Sequence, residues 1–459
     1  MNWKQYNGEA MRQLGDGRYY MNMPLDPTQK FKKEIDPFLS LAREKGIILH
    51  HDLQQLMVSD PINQYIYYLP KVQKDPNYPL VDLLFQITNY KTPLVLDTGS
   101  GLIKAGFADQ ELPTTIFPTV VGHPKNKCLI SENTIKDVYI GHEAQHMRSV
   151  LSLKFPVQFG IIMDWTEIEK IWHYTFYDQL RVEPEDHPVL LTEPAMNPAR
   201  NREHMVQIMF DAFNVPFTYI AMQAVLALYS SGRTTGVVFD SGEGVSHAVP
   251  IYEGCSLPHS VQQLWLAGRD LTGYLRKLLQ DRGYCFRTAT ELEIVRDIKE
   301  KLCYVSQDPD TECSTNEVSY TLPDGQILKL GNERFRAPEV LFKPALIGKD
   351  HFGVHESLCH AIIQSDSELR QTFLENIVLA GGTTLLPGLA SRLQNEICSM
   401  VSGDVSASVH VRRPVDMDED FVVWSGGAML ASLPAFRYAW ISRQEYEECG
   451  SSIVYRKCF

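Results

Sequence analysis

From Pro93 onward the chain alternates short apolar runs with stretches in which apolar residues recur every three or four positions. Leu94-Val95-Leu96 reads as a strand, while Trp165 to Leu180 and Arg202 to Phe213 carry helical spacing. Glu291 to Tyr304 does so most clearly, since Ile294, Val295, Ile298 and Leu302 fall on one face. Strands alternating with helices predict α/β layers. Residues 1–92 follow another pattern and read as an N-terminal extension to a body spanning 93–459. The first 30 or so are rich in Gly, Asn and Gln, a composition that buries little apolar surface. Asp36-Pro37 before Phe38-Leu39-Ser40-Leu41-Ala42 reads as an N-cap, a proline at N1 and a helix stopped at Gly46. Asp52 to Val58 suits a second short helix, and Tyr65-Ile66-Tyr67-Tyr68-Leu69 suits a strand. These apolar residues need a surface to cover them, either the body itself or a partner.

One feature of the body repeats. Leu94-Val95-Leu96-Asp97-Thr98-Gly99-Ser100-Gly101 parallels Gly236-Val237-Val238-Phe239-Asp240-Ser241-Gly242-Glu243-Gly244: an apolar strand, an Asp, a small hydroxyl residue, then glycines at alternate positions. A third strand, Ile377-Val378-Leu379, runs into Ala380-Gly381-Gly382-Thr383-Thr384. Glycines let a backbone turn tightly and approach a ligand, and successive N–H groups then converge as an anion nest. Two such turns facing one another suit a polyphosphate gripped from both sides. An Asp at each strand end suits a hydrated Mg²⁺, which prefers carboxylate oxygens and retains several waters. Asp-Thr-Gly-Ser and Asp-Ser-Gly also suit an aspartic protease, whose paired carboxylates share a proton. That alternative requires two mostly β lobes, and the helical segments between the repeats oppose it.

Composition narrows the picture. The 459 residues are 44% hydrophobic and 22% charged, ordinary for a globular protein with a sizeable core. A formal net charge of -13 argues against direct nucleic-acid binding, which needs clustered Lys and Arg. Nine cysteines form no C-x-x-C pair, so zinc is not expected. Their odd number and a polar Met1–Tyr20 point to a reducing compartment, cytosolic or nuclear. No run approaches the 18 or so apolar residues a membrane span requires.

With these motifs the chain resembles actin. The stretches carrying the resemblance are Asp97–Gly106 (DTGSGLIKAG), Ile171–Leu180 (IWHYTFYDQL), Ser231–Val245 (SGRTTGVVFDSGEGV), Glu293–Tyr304 (EIVRDIKEKLCY), Gly331–Phe335 (GNERF), Gly381–Thr384 (GGTT) and the closing Arg456-Lys457-Cys458-Phe459. The resemblance implies an α/β actin-like fold: two domains, four subdomains and a central nucleotide cleft holding ATP or ADP with Mg. It implies that backbone N–H groups of Thr98, Gly99, Ser100, Gly101 and Leu102, and of Gly242, Glu243, Gly244 and Val245, hold phosphates. Ser100 and Lys104 would meet the terminal phosphates, and Asp97 and Asp240 would order the waters of Mg²⁺. Gln223 would position an attacking water and His247 would assist it. Arg296, Lys299, Glu300 and Gly382 would line the adenosine pocket. Each has a plainer reading: Gln223 as a core polar residue, His247 as structural, and Arg296, Lys299 and Glu300 as a solvated helix face.

Departures from actin bear on function. Glu243 stands where the family has Asp, Thr98 where it has Asn, and Asp420 where it has a Lys beside the adenine. Phe159 takes the place of the modified His. The DNase-binding loop, about Lys125–Lys136, has lost its glycines, and the Ser306–Tyr320 loop is short. Cys255 replaces a Tyr, and Pro434 joins Met429, Leu430, Leu433 and Ala435 along the expected target-binding cleft. Ala345-Leu346-Ile347-Gly348 keeps an apolar character. The reading that follows is an actin-related, cytoskeletal or complex-scaffolding subunit whose protein partners engage residues 1–92 and the cleft near Met429, Leu430 and Leu433. A polymerising ATPase and a nucleotide-degenerate adaptor of a ciliary or nuclear complex are the alternatives.

Overall fold

The computed structural model describes residues 90–125, 136–312, 317–401, 408–413 and 421–458. The expected helices and strand of the extension, the core of the 125–136 loop and Asp420 lie outside the described residues.

Chain order gives the principal strands as β1 (Leu94–Thr98), β2 (Leu102–Phe107), β3 (Thr115–Pro118), β4 (Val189–Glu193), β5 (Phe217–Met222), β6 (Gly236–Ser241), β7 (Ser246–Tyr252) and β8 (Ile377–Ala380). One six-stranded sheet runs Ile441–Ser442, β5, β4, β1, β2, β3. A second runs Cys255–Ser256, β7, β6, β8, Val411–Arg412, with Gln262–Leu264 added alongside β7. The two are built to one plan. In each, a leading strand turns back on an antiparallel partner and then pairs parallel with a later strand: β1 with β2 and β4, β6 with β7 and β8. The register repeats too. Asp97 lies opposite Lys104, and Asp240 lies opposite His247.

Parallel central strands are buried on both faces and so read as continuous apolar runs. Leu94, Val95, Leu96, Val237, Val238 and Phe239 are all fully buried. Helices cover the sheets: α1 (Trp165–His173), α2 (Gln223–Ser230), α3 (Gly268–Asp281), α4 (Ala289–Leu302) and α5 (Val422–Ser432). Asp164 caps α1 by accepting from Glu167 N at 3.2 Å, and Thr288 with Glu291 forms a capping box on α4. The expected face of α4 is the one buried. Val295 and Ile298 enter the second core with Phe239, Leu271 and Leu379, and Ile294 and Leu302 pack at its margin.

The helix expected over Trp165–Leu180 changes pitch. After His173 it continues as a π-helix, Tyr174–Leu180, and ends on Arg181 at φ 56°. Thr175 Oγ1 donates to Ile171 O at 2.8 Å, competing for a carbonyl of the regular ladder. Smaller sheets accompany each half: Tyr139–Ile140, Val121–Pro124 and Leu151–Lys154 around their own core, and a hairpin of Val318–Thr321 with Ile327–Leu330.

Candidate functional site

The turns that end β1 and β6 meet. A Cβ placed on Gly101 would sit 3.1 Å from Glu243 Cβ, and one on Gly244 would sit 3.0 Å from Ser100 Oγ. A side chain at either position would crowd the facing turn, so the close approach favours glycine. Each turn is held from behind. In the first, Gly99 N donates to Leu102 O at 3.1 Å, and Thr119 contributes Oγ1 to Gly99 O at 2.8 Å and N to Gly101 O at 3.0 Å. In the second, Gly242 N donates to Val245 O at 3.2 Å. Gly242 O accepts from Gly268 N at 3.0 Å and Thr383 Oγ1 at 2.7 Å, and Glu243 O from Arg269 N at 2.9 Å. The third glycine pair completes the arrangement. Gly381 takes φ 83°, and a Cβ there would stand 2.6 Å from Asp240 Oδ1. The Gly-Gly-Thr-Thr segment, with Gly382 opening its single 3-10 turn, thus lies against the second turn.

Asp97 is 4% exposed, and its carboxylate is held on both oxygens. Oδ1 accepts from Thr192 Oγ1 at 2.7 Å and Gln223 Nε2 at 3.1 Å, while Oδ2 lies 3.6 Å from Lys104 Nζ. Gln223 is the first residue of α2 rather than a core position, which turns its amide toward Asp97. Thr98 Oγ1 accepts from Trp172 Nε1 at 3.3 Å, and Ser100 Oγ from Gly160 N at 2.8 Å. Thr192, Trp172 and Gly160 escape sequence reasoning. Thr192 sits inside the apolar run of β4, and only the parallel pairing of β4 with β1 places it beside Asp97.

His247 is 2% exposed, and its Nε2 has no hydrogen-bond partner. Desolvation pulls its pKa down to about 4. The folded value lies below the ordinary His value of about 6.5, so the unfolded chain binds the extra proton between those two pH values. Stability from this group is complete above pH 6.5 and is lost as pH falls through 4, by about 3 kcal/mol at most. Burial depresses His187 and His355 in the same direction. A melting temperature lower at pH 5 than at pH 7, with the drop reduced in His247→Gln, is the expected result; equal melts would contradict the buried neutral imidazole.

The α4 residues divide. Lys299 is 6% exposed, donates Nζ to Gly268 O at 3.0 Å and lies 4.0 Å from Glu243 Oε2. Burial lowers its pKa, with Glu243 pulling the other way. Arg296 pairs with Glu300 at 2.9 Å and Glu293 at 3.6 Å along the helix. Glu243 also lies 3.7 Å from Arg269, so the carboxylate at the mouth of the turns faces two cations. Cavities of about 630 Å³ beside Tyr304 and Pro387, and of about 740 Å³ beside Tyr90 and Arg443, open elsewhere. Neither touches the paired turns. The turns, with their glycines, buried cation and buried carboxylate, form a built polar site. Compared with known protein families, residues 88–459 match the family model described as Actin.

Proposed function

The chain belongs to the actin family, and on that premise we propose that its paired turns hold ATP or ADP with Mg and that it serves as a cytoskeletal or complex-scaffolding subunit. The observation that carries the reading is the contact of the duplicated turns, Gly101 on Glu243 and Ser100 on Gly244. The residues present fit the group. Glycine cradles that a Cβ would fill, a buried Lys104, and an unpartnered imidazole nitrogen beside the second turn are what a phosphate chain and its water require.

In this reading the backbone N–H groups of Thr98 to Leu102 and Gly242 to Val245 bind phosphate oxygens. Ser100 donates its hydroxyl, and Lys104 balances negative charge. Asp97 and Asp240 would hold the metal through its waters, and magnesium, when bound, would supply positive charge to offset the phosphates. Gln223, anchored on Asp97 and Thr192, orients a water. His247, kept neutral by burial, offers that water its unpartnered Nε2 as a hydrogen-bond acceptor. Lys299, Arg296, Glu300 and Gly382 border the nucleoside. Because the two turns come from different sheets, one ligand holding both draws the halves together.

Met429 and Leu433 are 49% and 44% exposed, with Leu430 half-buried, which supports a protein partner at that face. Actin-family proteins work in assemblies, and the extension 1–92 is the second surface we assign to partners. No described helix is long and apolar enough to cross a membrane. The cytoplasm and cytoskeleton are the proposed location, with a nuclear complex as the alternative.

A ligand that binds only the folded chain stabilises it by RT ln(1 + [L]/Kd), about 2.7 kcal/mol at a hundredfold excess over Kd. For a body of this size that is about 3 °C in Tm. Melting the full chain with and without millimolar ATP-Mg tests the reading; identical curves count against it.

A further inference from the structure

Against both turns lies a third element. Val157–Gln158 and Ile161–Ile162 form a small hairpin whose two connecting residues, Phe159 and Gly160, both take positive φ, 53° and 79°. A two-residue connection of this hand favours Asn-Gly, and a bulky aromatic at its first position is strained. The turn reaches both phosphate loops. Gly160 N donates to Ser100 Oγ at 2.8 Å. Cβ atoms built on Gly244 and Gly160 would meet Phe159 N at 3.1 Å and Val245 Cγ1 at 3.3 Å. The Phe159 ring turns outward and meets Trp265 edge to face, with centroids 5.2 Å apart and planes at 85°.

Trp265 belongs to the second half. It follows Gln262–Leu264, which pairs with β7 so that Ser246 lies opposite Leu264 and His247 opposite Gln263. It precedes Gly268, the residue whose N–H holds Gly242 O. Its own carbonyl is held by Lys349. Both rings stay in part open to solvent, Phe159 at 41% and Trp265 at 47%. Ordinary core packing therefore does not account for a strained Phe at the hairpin tip.

We infer that Phe159 and Trp265 form an aromatic clasp that fastens the 157–162 hairpin, and with it the Ser100 hydroxyl, to the second half, and that the clasp sets how fast bound nucleotide leaves. The inference rests on the nucleotide reading above. The two are positioning residues: they act on the phosphate turns through the Gly160 N–H and the backbone contact of Phe159 with Gly244. Opening the clasp frees the hairpin to swing, and the turns lose the element packed against both of them.

The test is release of a fluorescent ATP analogue from the full-length chain, chased with excess ATP-Mg. An edge-to-face pair sets an effect of about 3- to 10-fold. Trp265→Ala and Phe159→Ala should each speed release by that factor. The double variant should be no faster than either single, because one contact is removed in all three. Trp265→Phe, which keeps an aromatic partner, should release near the wild-type rate. The high exposure of Trp265 leaves these variants folded, and their melting curves report it. Wild-type release matched by all variants, or singles whose effects multiply in the double, overturns the clasp while leaving the nucleotide site intact. A wild-type chain that does not retain the analogue overturns both.

Discussion

Replacing Lys104 by Met should weaken ATP-Mg binding by about 10- to 100-fold, the range that follows from losing a charge-assisted contact to phosphate. The structure adds a second consequence. Lys104 Nζ lies 3.6 Å from Asp97 Oδ2, and both side chains are almost wholly buried. Removing the cation leaves a buried carboxylate supported by Thr192 and Gln223 alone. Breaking a buried pair from one side costs about 3 kcal/mol or more, because the other charge stays desolvated. Lys104→Met should therefore also melt earlier without nucleotide. The two consequences separate in the double variant Asp97→Asn with Lys104→Met. Taking out both charges restores much of the stability, since the amide can still hydrogen-bond to Thr192 and Gln223, yet it leaves the site without either its phosphate cation or one of its metal-holding carboxylates. Recovered melting temperature with binding still lost is the expected pattern. Binding that returns along with stability would reduce Lys104 to a structural partner of Asp97.

The pairing of Asp97 with Lys104 also marks how far the sequence could be read. The strand-Asp-Gly turns were visible because their residue types are constrained locally: glycine where the backbone is crowded, an apolar strand before it. From that repetition alone two related sheets followed. The matching register, Asp97 against Lys104 and Asp240 against His247, is the same statement made in hydrogen bonds. What stayed hidden depends on pairings between distant strands. Thr192 has no local signature, because a hydroxyl in an apolar strand reads as an ordinary β residue. The aromatic contact of Phe159 with Trp265 joins two turn positions far apart in the chain, and neither carries a motif. The pitch change after His173 escaped for another reason. Apolar spacing over Tyr174–Leu180 fits 3.6 residues per turn about as well as a wider helix. The Thr175 side-chain bond that accompanies the change is a matter of rotamer, not of composition. Glu243 shows the limit from the chemical side. The extra methylene relative to aspartate was legible, but its position facing Arg269 and Lys299 was not.

The largest stability effect is expected at Gly426 in α5. Alanine is normally the better helix former by about 1 kcal/mol, so Gly→Ala inside a helix ordinarily stabilises. Here a Cβ would stand 1.9 Å from Leu226 O and 2.5 Å from Leu226 C, which are backbone atoms of α2 and cannot rotate away. Gly427 is less crowded, its Cβ meeting a side-chain atom, Val95 Cγ1, at 2.9 Å. The helices cross backbone to backbone, and relieving the overlap means separating them by more than 1 Å. Neither helix is free to yield. Trp424 on α5 is fully buried and donates Nε1 to Val95 O at 3.1 Å, and Ser432 Oγ donates to Ala108 O at 2.9 Å. Leu226, Ala227 and Leu228 on α2 are fully buried. Overpacking of this kind costs about 3 kcal/mol, enough to offset the helical gain several times over. Because α2 opens with Gln223, displacement of its axis should also loosen the amide on Asp97 and weaken nucleotide binding from a distance. Gly273→Ala is the control. It lies within α3, and a Cβ there meets nothing within 4 Å, so that variant should gain up to about 1 kcal/mol. Chemical denaturation of the two variants beside the wild type reads both effects. Opposite shifts, with Gly426→Ala unfolding at much lower denaturant, are expected, and a Gly426→Ala midpoint equal to wild type would mean that the helices do not cross at this distance.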